Sequence, residues 1–335
     1  MIPVKVEGHE TLALLDTGAN RSGISESLAR ELKLATLKHG RQFGAGDAMR
    51  NYKRTEMLAL DLGGGTVIKR RLATLPADGQ FAPRGVEMII GMDAFWDQVL
   101  SIDFDRLMFD MTPYRSFKAP AQPPLKLNNF YGVYTLDAKL GETKAKLLID
   151  TAASSALHVE GLFERNSPAL KGLPRSQTIV AGIDSVSTRP VVALPSLEFA
   201  GYAFRDVPVT VGPFSRDFSR ADGLLGVDVL RRFNLVIDYG LSRMWLTPNS
   251  ALDAPFRKNR IGLFTANSES GRRVTLAAPG SPAEAAGFVA GEVIAAFETD
   301  GGVRVPDAAD VAEGARVIAV MADGSRREMT ARAYY

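Results

Sequence analysis

At positions 14–18 the chain reads "LLDTG" and at 148–152 it reads "LIDTA", so an apolar run twice ends in an aspartate, a threonine and a small residue. Such a run predicts a buried strand, with the carboxylate at the rim of an apolar core and the backbone N–H groups of a small-residue turn free to point at it. A charge in that setting costs free energy unless it is paired. Two such carboxylates brought together cannot both ionise comfortably: they share one proton, and the apparent pKa values belong to the pair. An acid then stands beside a base. The ionised member takes a proton from a trapped water while the protonated member donates to a carbonyl oxygen, which is the chemistry of amide hydrolysis without a covalent intermediate.

The elements that must position Asp16 and Asp150 are themselves repeated. "ALLDTGANRSGIS" from Ala13 aligns with "LLIDTAASSALHV" from Leu147, and "MIIGMDAFWDQVLSIDF" from Met88 with "GLLGVDVLRRFNLVIDY" from Gly223. The spacing is 134 residues from Asp16 to Asp150 and 135 from Gly91 to Gly226, from Asp93 to Asp228 and from Asp103 to Asp238. One register kept over so many residues marks a tandem repeat, and two copies packed about a pseudo-twofold axis can set the two aspartates face to face. In the middle of each half, "LALDLGGGTVIKRRLATL" and "LPSLEFAGYAFRDVPVTV" alternate short apolar stretches with turns, which predicts antiparallel strands and hairpins. "SESLARELKL" from Ser25 predicts a short helix, and "GMDAFWDQ" and "GVDVLRRF" predict one more in each half. The fold class is therefore mainly β. Asp93, Asp103, Asp228 and Asp238 begin these helices or flank hairpins and are read as structural carboxylates.

Between the halves, four prolines among residues 113–124 favour an extended tether. This gives a first lobe at 1–115, a Pro-rich linker at 116–126 and a second lobe at 127–248. After the break "TPNSALDAPFRKN", a non-repeating third domain occupies 256–335. With 335 residues and 46% hydrophobic content the chain can bury several cores. Its 40 Lys and Arg against 38 Asp and Glu give no electrostatic reason to expect nucleic acid or an anionic membrane as partner. The absence of cysteine excludes disulfides, thiolate nucleophiles and sulfur-ligated zinc. No apolar run is long enough to span a membrane. His9, His39 and His158 lack metal-ligand spacing and are expected at the surface, whereas Trp96 and Trp245 are expected in the core. No metal or organic cofactor is expected.

With these residues in view, the two halves resemble tandem copies of the retropepsin-type aspartic protease, joined in one chain as in pepsin-like enzymes. The pieces that carry the resemblance are "LLDTGAN" and "LIDTAAS" together with the downstream "IIGMD" and "LLGVD", and it covers roughly residues 2–247. It implies two retropepsin-like β-barrel lobes forming one bilobal protease, with Asp16 and Asp150 catalytic. Thr17, Gly18, Thr151 and Ala152 would support them, the threonines interlocking across the axis. Asn20 and Ser154 would face the substrate backbone, and "FGAG" at 43–46 and "VAG" at 180–182 would form flaps, which adds Gly44, Gly46 and Gly182 to the substrate-binding residues. The substrate implied is an extended polypeptide cut between apolar residues, by a monomer.

Ala152 departs from the family's glycine but keeps its backbone N–H. This leaves two readings open, an active endopeptidase and a peptide-binding pseudoprotease. Ala19 and Ala153 stand where pepsin-like enzymes tend to carry a hydroxyl donor to the carboxylate. Their presence predicts a pH optimum that is only mildly acidic.

In the third domain, "PGSPAEAAGFVAGEVIAAF" resembles the central stretch of bacterial PDZ domains, with a helix start at Ser281 and Pro282 and a glycine end at Gly287. The resemblance makes "IGLF" a loop that captures a C-terminal peptide, with Gly262, Leu263 and Phe264 as contacts. Exported bacterial proteins of this architecture give the expectation of a periplasmic or cell-envelope location.

Overall fold

The computed structural model describes residues 1–335 apart from 44–48, 76–84, 131, 183–185, 214–220, 300–303 and 306–310, and of residues 38–43, 49–51, 304 and 305 only the backbone. The first lobe contains β1 (Ile2–Val6), β2 (His9–Leu15), β3 (Gly23–Ser25), helix α1 (Glu26–Glu31), β4 (Thr36–Phe43), β5 (Met49–Asp61), β6 (Val67–Leu75), β7 (Val86–Ile90), β8 (Gln98–Asp103) and β9 (Met108–Pro113). β10 (Leu125–Lys126) follows. The second lobe has β11 (Asn128–Phe130), β12 (Val133–Leu140), β13 (Thr143–Ile149), β14 (Leu157–Glu160), α2 (Gly161–Asn166), β15 (Arg175–Ala181), β16 (Val186–Phe199), β17 (Tyr202–Gly212), β18 (Gly223–Leu225), α3 (Val227–Leu230), β19 (Phe233–Asp238) and β20 (Arg243–Pro248).

The two lobes share one topology. The first sheet runs β1-β2-β7-β3-β6-β5-β4, and the second runs β12-β13-β18-β14-β17-β16-β15 with β11 added outside β12. Extra pairings, β1 with β5 and β12 with β16, curl each sheet toward a barrel. The segments read as hairpins are β5–β6 and β16–β17, and Ser25 caps α1 by accepting the Leu28 N–H at 3.0 Å. A third sheet, β10-β20-β19-β8-β9, takes strands from both lobes and joins them where β19 pairs with β8. One apolar core runs through both lobes.

The Pro-rich segment is extended as expected but is not a free tether. Trp245 donates its indole N–H to the Gln122 carbonyl at 3.0 Å and stacks at a tilt on Phe117, which ties the segment along β20. Other expectations are corrected. Trp96 is 57% exposed rather than core, because it lies on the turn after Gly91 with its backbone carbonyl bound by the Tyr114 hydroxyl. His158 is buried, not at the surface: it lies on β14 between two strands and meets the Gly212 carbonyl at 3.2 Å. Burial lowers its pKa to about 4. His9 is half-buried, and the His39 side chain lies outside the described residues. Asp228 and Asp238 are buried, paired with Arg231 and Arg243, and Asp238 also accepts the Leu241 N–H at 3.0 Å.

The remaining strands, β21 (Leu263–Ser268), β22 (Gly271–Ala277), β23 (Val293–Thr299), β24 (Arg304–Val305), β25 (Arg316–Met321) and β26 (Arg326–Thr330), form a separate sheet with its own core and a one-turn helix, α4 (Pro282–Ala285). Ser281 caps that helix and Gly287 ends it with φ +76°. The buried Arg232 guanidinium fastens the connection by donating to the carbonyls of Leu252 and Ala254 and stacking on Phe256. Lys258 pairs with Asp206, and Ser176 on β15 donates to the Pro279 carbonyl at 2.6 Å. The third domain is thus seated on the second lobe. Among the described residues no helix is long and apolar enough to cross a membrane.

Candidate active site

Asp16 and Asp150 stand one residue past the ends of β2 and β13, and each is anchored by the parallel strand beside it. The Asp16 N–H donates to the Ile90 carbonyl at 2.9 Å, and the Asp150 N–H to the Leu225 carbonyl at 3.0 Å. The next glycines explain the downstream repeat. A Cβ on Gly91 would lie 2.6 Å from the Arg21 carbonyl carbon, and one on Gly226 would overlap the Ser155 carbonyl oxygen. Only glycine lets these loops pass so closely. Immediately beyond, the Met92 and Val227 N–H groups hold the Ala19 and Ala153 carbonyls, both at 2.8 Å.

The threonines lock the two loops together. The Thr17 hydroxyl donates to the Ile149 carbonyl at 2.9 Å and accepts the Thr151 N–H at 3.0 Å. Reciprocally, the Thr151 hydroxyl donates to the Leu15 carbonyl at 2.6 Å and accepts the Thr17 N–H at 3.2 Å. Each hydroxyl both gives and receives, so four backbone groups at the axis are satisfied by two side chains.

The carboxylates are held in matching ways. Gly18 and Ala19 donate their N–H groups to Asp16 Oδ1, and Ala152 and Ala153 donate theirs to Asp150 Oδ1, all at 2.9 Å. The two acids meet across Gly18: a Cβ built there would come within 2.8 Å of Asp150 Cγ and 2.9 Å of its Oδ2. Burial pushes both carboxyls above the usual carboxylate range, and the charge of Asp150 raises Asp16 further, against the pull of the backbone donors. Tyr239 lies close enough to feel both aspartates, and burial together with their charge drives its own pKa up. Its ring packs edge-on against Tyr134, whose hydroxyl donates to the Tyr239 carbonyl at 3.0 Å.

Ala152 is accommodated without backbone strain, since it is not among the residues with positive φ and Gly18 needs none either. What the first loop requires at Gly18 is room for the opposite carboxylate. Asp16, Thr17 and Gly18 are buried, whereas Asp150, Thr151 and Ala152 are only half-buried.

The other residues singled out in the sequence fall as follows. Asn20 is half-buried with its Oδ1 shielded from solvent, and Ser154 is exposed. Gly44 and Gly46 lie outside the described residues, between β4 and β5 in the chain. Gly182 follows β15, which pairs with β16. In the third domain the Gly262 N–H is already engaged by Asn259 Oδ1 at 2.8 Å, and a Cβ there would meet Ser281 and Tyr334. Leu263 and Phe264 begin β21, at the edge of its sheet.

Two contributors escaped the sequence reading because they break the repeat. Ser22 donates its N–H and hydroxyl to Asp93 at 2.8 and 2.6 Å and accepts the Gly91 N–H, bracing the first loop; its counterpart is Ala156. Tyr239 corresponds to Phe104, so only an unmatched hydroxyl marks it. No cluster able to hold a metal ion occurs among the described residues.

Two parts of the chain match known protein families. Residues 2–96 match the family model described as "gag-polyprotein putative aspartyl protease", and residues 136–229 match that described as "Aspartyl protease". Among solved structures, a retropepsin-like aspartic protease from Rickettsia conorii is 22% identical over 37% of this chain and 88% of its own, with a TM-score of 0.28. No curated protein matches. Two successive stretches of the chain, 2–96 and 136–229, are thus each similar to aspartyl protease domains.

Proposed function

We propose that the two domains form a single active site that hydrolyses peptide bonds, with Asp16 and Asp150 as its catalytic residues. The observation that carries this reading is the reciprocal threonine lock, which fixes two carboxyls on either side of Gly18. Asp16, the more enclosed and the one raised by its neighbour's charge, holds the shared proton. Asp150 is the ionised base. Water attacks the scissile carbonyl carbon while giving a proton to Asp150, and Asp16 protonates the carbonyl oxygen. The gem-diol returns one hydroxyl proton to Asp16, the amine nitrogen takes the proton from Asp150, the C–N bond breaks, and the dyad regains its starting state. Fixed donors around both carboxylates make this geometry available before substrate binds.

A raised pair keeps its single proton to higher pH, which supports an optimum only mildly acidic. The third domain, in this proposal, presents the free edge of β21 for a peptide strand to pair with, as the PDZ-like sequence suggests. Carboxylate capture at Gly262 would require Asn259 to release its N–H. The test is cleavage of an unfolded protein mixture. Hydrolysis that persists with chelator present, and is blocked by a peptide carrying a hydroxymethylene in place of the scissile amide, supports the reading. Peptide binding without turnover would instead select the pseudoprotease.

A further inference from the structure

Tyr239 lies where the two lobes join. It follows β19, the strand that pairs with β8 of the first lobe. Its ring is gripped from both sides: Phe95 of the first lobe stacks on it at 6.3 Å between centroids, and Tyr134 of the second meets it edge-on at 4.9 Å and holds its backbone carbonyl. Both neighbours lead back to the Asp-Thr loops. Phe95 donates its N–H to Met92, whose own N–H holds the Ala19 carbonyl, and Thr135 pairs with Leu148, which sets Tyr134 beside Ile149, the residue before Asp150. The Tyr239 hydroxyl is enclosed by protein and has no hydrogen-bond partner among the described residues. An unpaired buried hydroxyl costs stability. At the matched position of the first half, 135 residues earlier, the chain has Phe104, so packing gives no reason for the hydroxyl. Among the described residues no side-chain hydroxyl donates to either carboxylate of the pair: Thr17 and Thr151 are spent on backbone carbonyls, and each Oδ1 takes two backbone N–H groups.

A phenolic O–H turns about its C–O bond, and its dipole aligns in the field of nearby charges. Among the described residues, the titratable groups whose charge bears on Tyr239 are Asp16, Asp150 and Tyr134. Asp238, next to it in the chain, is neutralised by Arg243, and Asp93 behind the first loop is bound by Ser22. Burial and the two aspartates hold the Tyr239 hydroxyl protonated throughout the range in which carboxyls titrate, so its hydrogen turns toward them. Resting on the reading that Asp16 and Asp150 share one proton, we infer that Tyr239 is a positioning residue: its O–H dipole holds the pair in its singly ionised state and so sets the pH range over which acid and base stand side by side. The dipole favours negative charge on the pair and opposes the burial that raises both carboxyls. Removing it shifts both ionisations upward, the second at least as far as the first, because the doubly ionised pair gains most from the donor.

The test uses the full chain labelled with carbon-13 at the aspartate carboxyls, unmodified and with Tyr239→Phe, titrated by NMR. The signals of the pair are those missing from Asp16→Asn and Asp150→Asn. Tyr239→Phe should move the apparent titration of the pair to higher pH by at least about half a unit, the scale on which one neutral donor biases a buried carboxylate. Its Tm should stay level or rise, since an unpaired hydroxyl is lost. The acid limb of kcat/KM for peptide cleavage should follow the same shift. A second variant, 3-fluorotyrosine at position 239, keeps the ring and strengthens the donor; it should move the titration to lower pH, and it carries the test if Tyr239→Phe fails to fold. A pair that titrates alike with and without the change at position 239, or that moves the opposite way, overturns the inference. The expected shifts with no cleavage by the unmodified chain would leave the inference standing and sink the hydrolase reading instead.

Discussion

The two Asp-Thr loops have the same hydrogen bonds and different surroundings. In each, two backbone N–H groups hold one carboxylate oxygen and a threonine reaches across the axis. Yet Asp16, Thr17 and Gly18 are buried and braced by Ser22 on Asp93, while Asp150, Thr151 and Ala152 are partly open and lack that brace. Repetition supplies the bonding pattern, and in the proposed mechanism divergence around it sets which aspartate holds the proton. A pair of like acids needs such a difference to act as an acid and a base.

Exchanging the small residues is the sharpest way to break this comparison. Gly18→Ala puts a methyl 2.8 Å from Asp150 Cγ and should cost at least about 100-fold in kcat/KM, the scale of a misplaced catalytic group. Ala152→Gly should stay within about threefold, and equal losses from both would show that the loops are equivalent. At the axis, Thr17→Val leaves the Thr151 N–H and the Ile149 carbonyl unpaired and should cost about 2 kcal/mol in denaturant unfolding. Thr151→Val should cost somewhat less, because its loop is more open.

The pH dependence separates the lobes further. His158 corresponds to Ile24, which is fully buried. Because the folded-state pKa of His158 is depressed to about 4, its contribution to stability is complete above the ordinary histidine value and is lost as pH falls toward 4. At about 1.4 kcal/mol per unit, roughly 2 kcal/mol should go between pH 7 and pH 5. His158→Ile should remove most of that slope, and an unchanged slope would place the acid sensitivity elsewhere. Asp16 has the opposite sign. Its raised pKa makes the fold less stable as pH climbs above the usual carboxylate range, so Asp16→Asn should raise Tm at pH 7 and leave it nearly unchanged at pH 3.5.

The repeat made much of this legible. Registered spacing marks both aspartates, both threonines and the paired glycines, because each position answers to a backbone approach that recurs in both halves. What a repeat hides is whatever only one copy has. Ser22 against Ala156, His158 against Ile24 and Tyr239 against Phe104 all sit where the halves differ, and each needed three dimensions to acquire a meaning. Trp96 misled because a large aromatic carries no pattern that tells a core position from an exposed turn. The seating of the third domain was illegible for a related reason, since Arg232 and Ser176 bind backbone carbonyls that no sequence motif announces.

The most direct test of the shared dyad compares the unmodified chain with Asp16→Asn and Asp150→Asn in cleaving a denatured protein mixture between pH 4 and pH 7, read by peptide mass spectrometry. The account predicts cleavage by the unmodified chain and a loss of at least about 1,000-fold in both variants at every pH, since neither carboxyl can do the other's work. Undiminished cleavage by Asp150→Asn would contradict it, because the second lobe would then be a scaffold and the first would act without it.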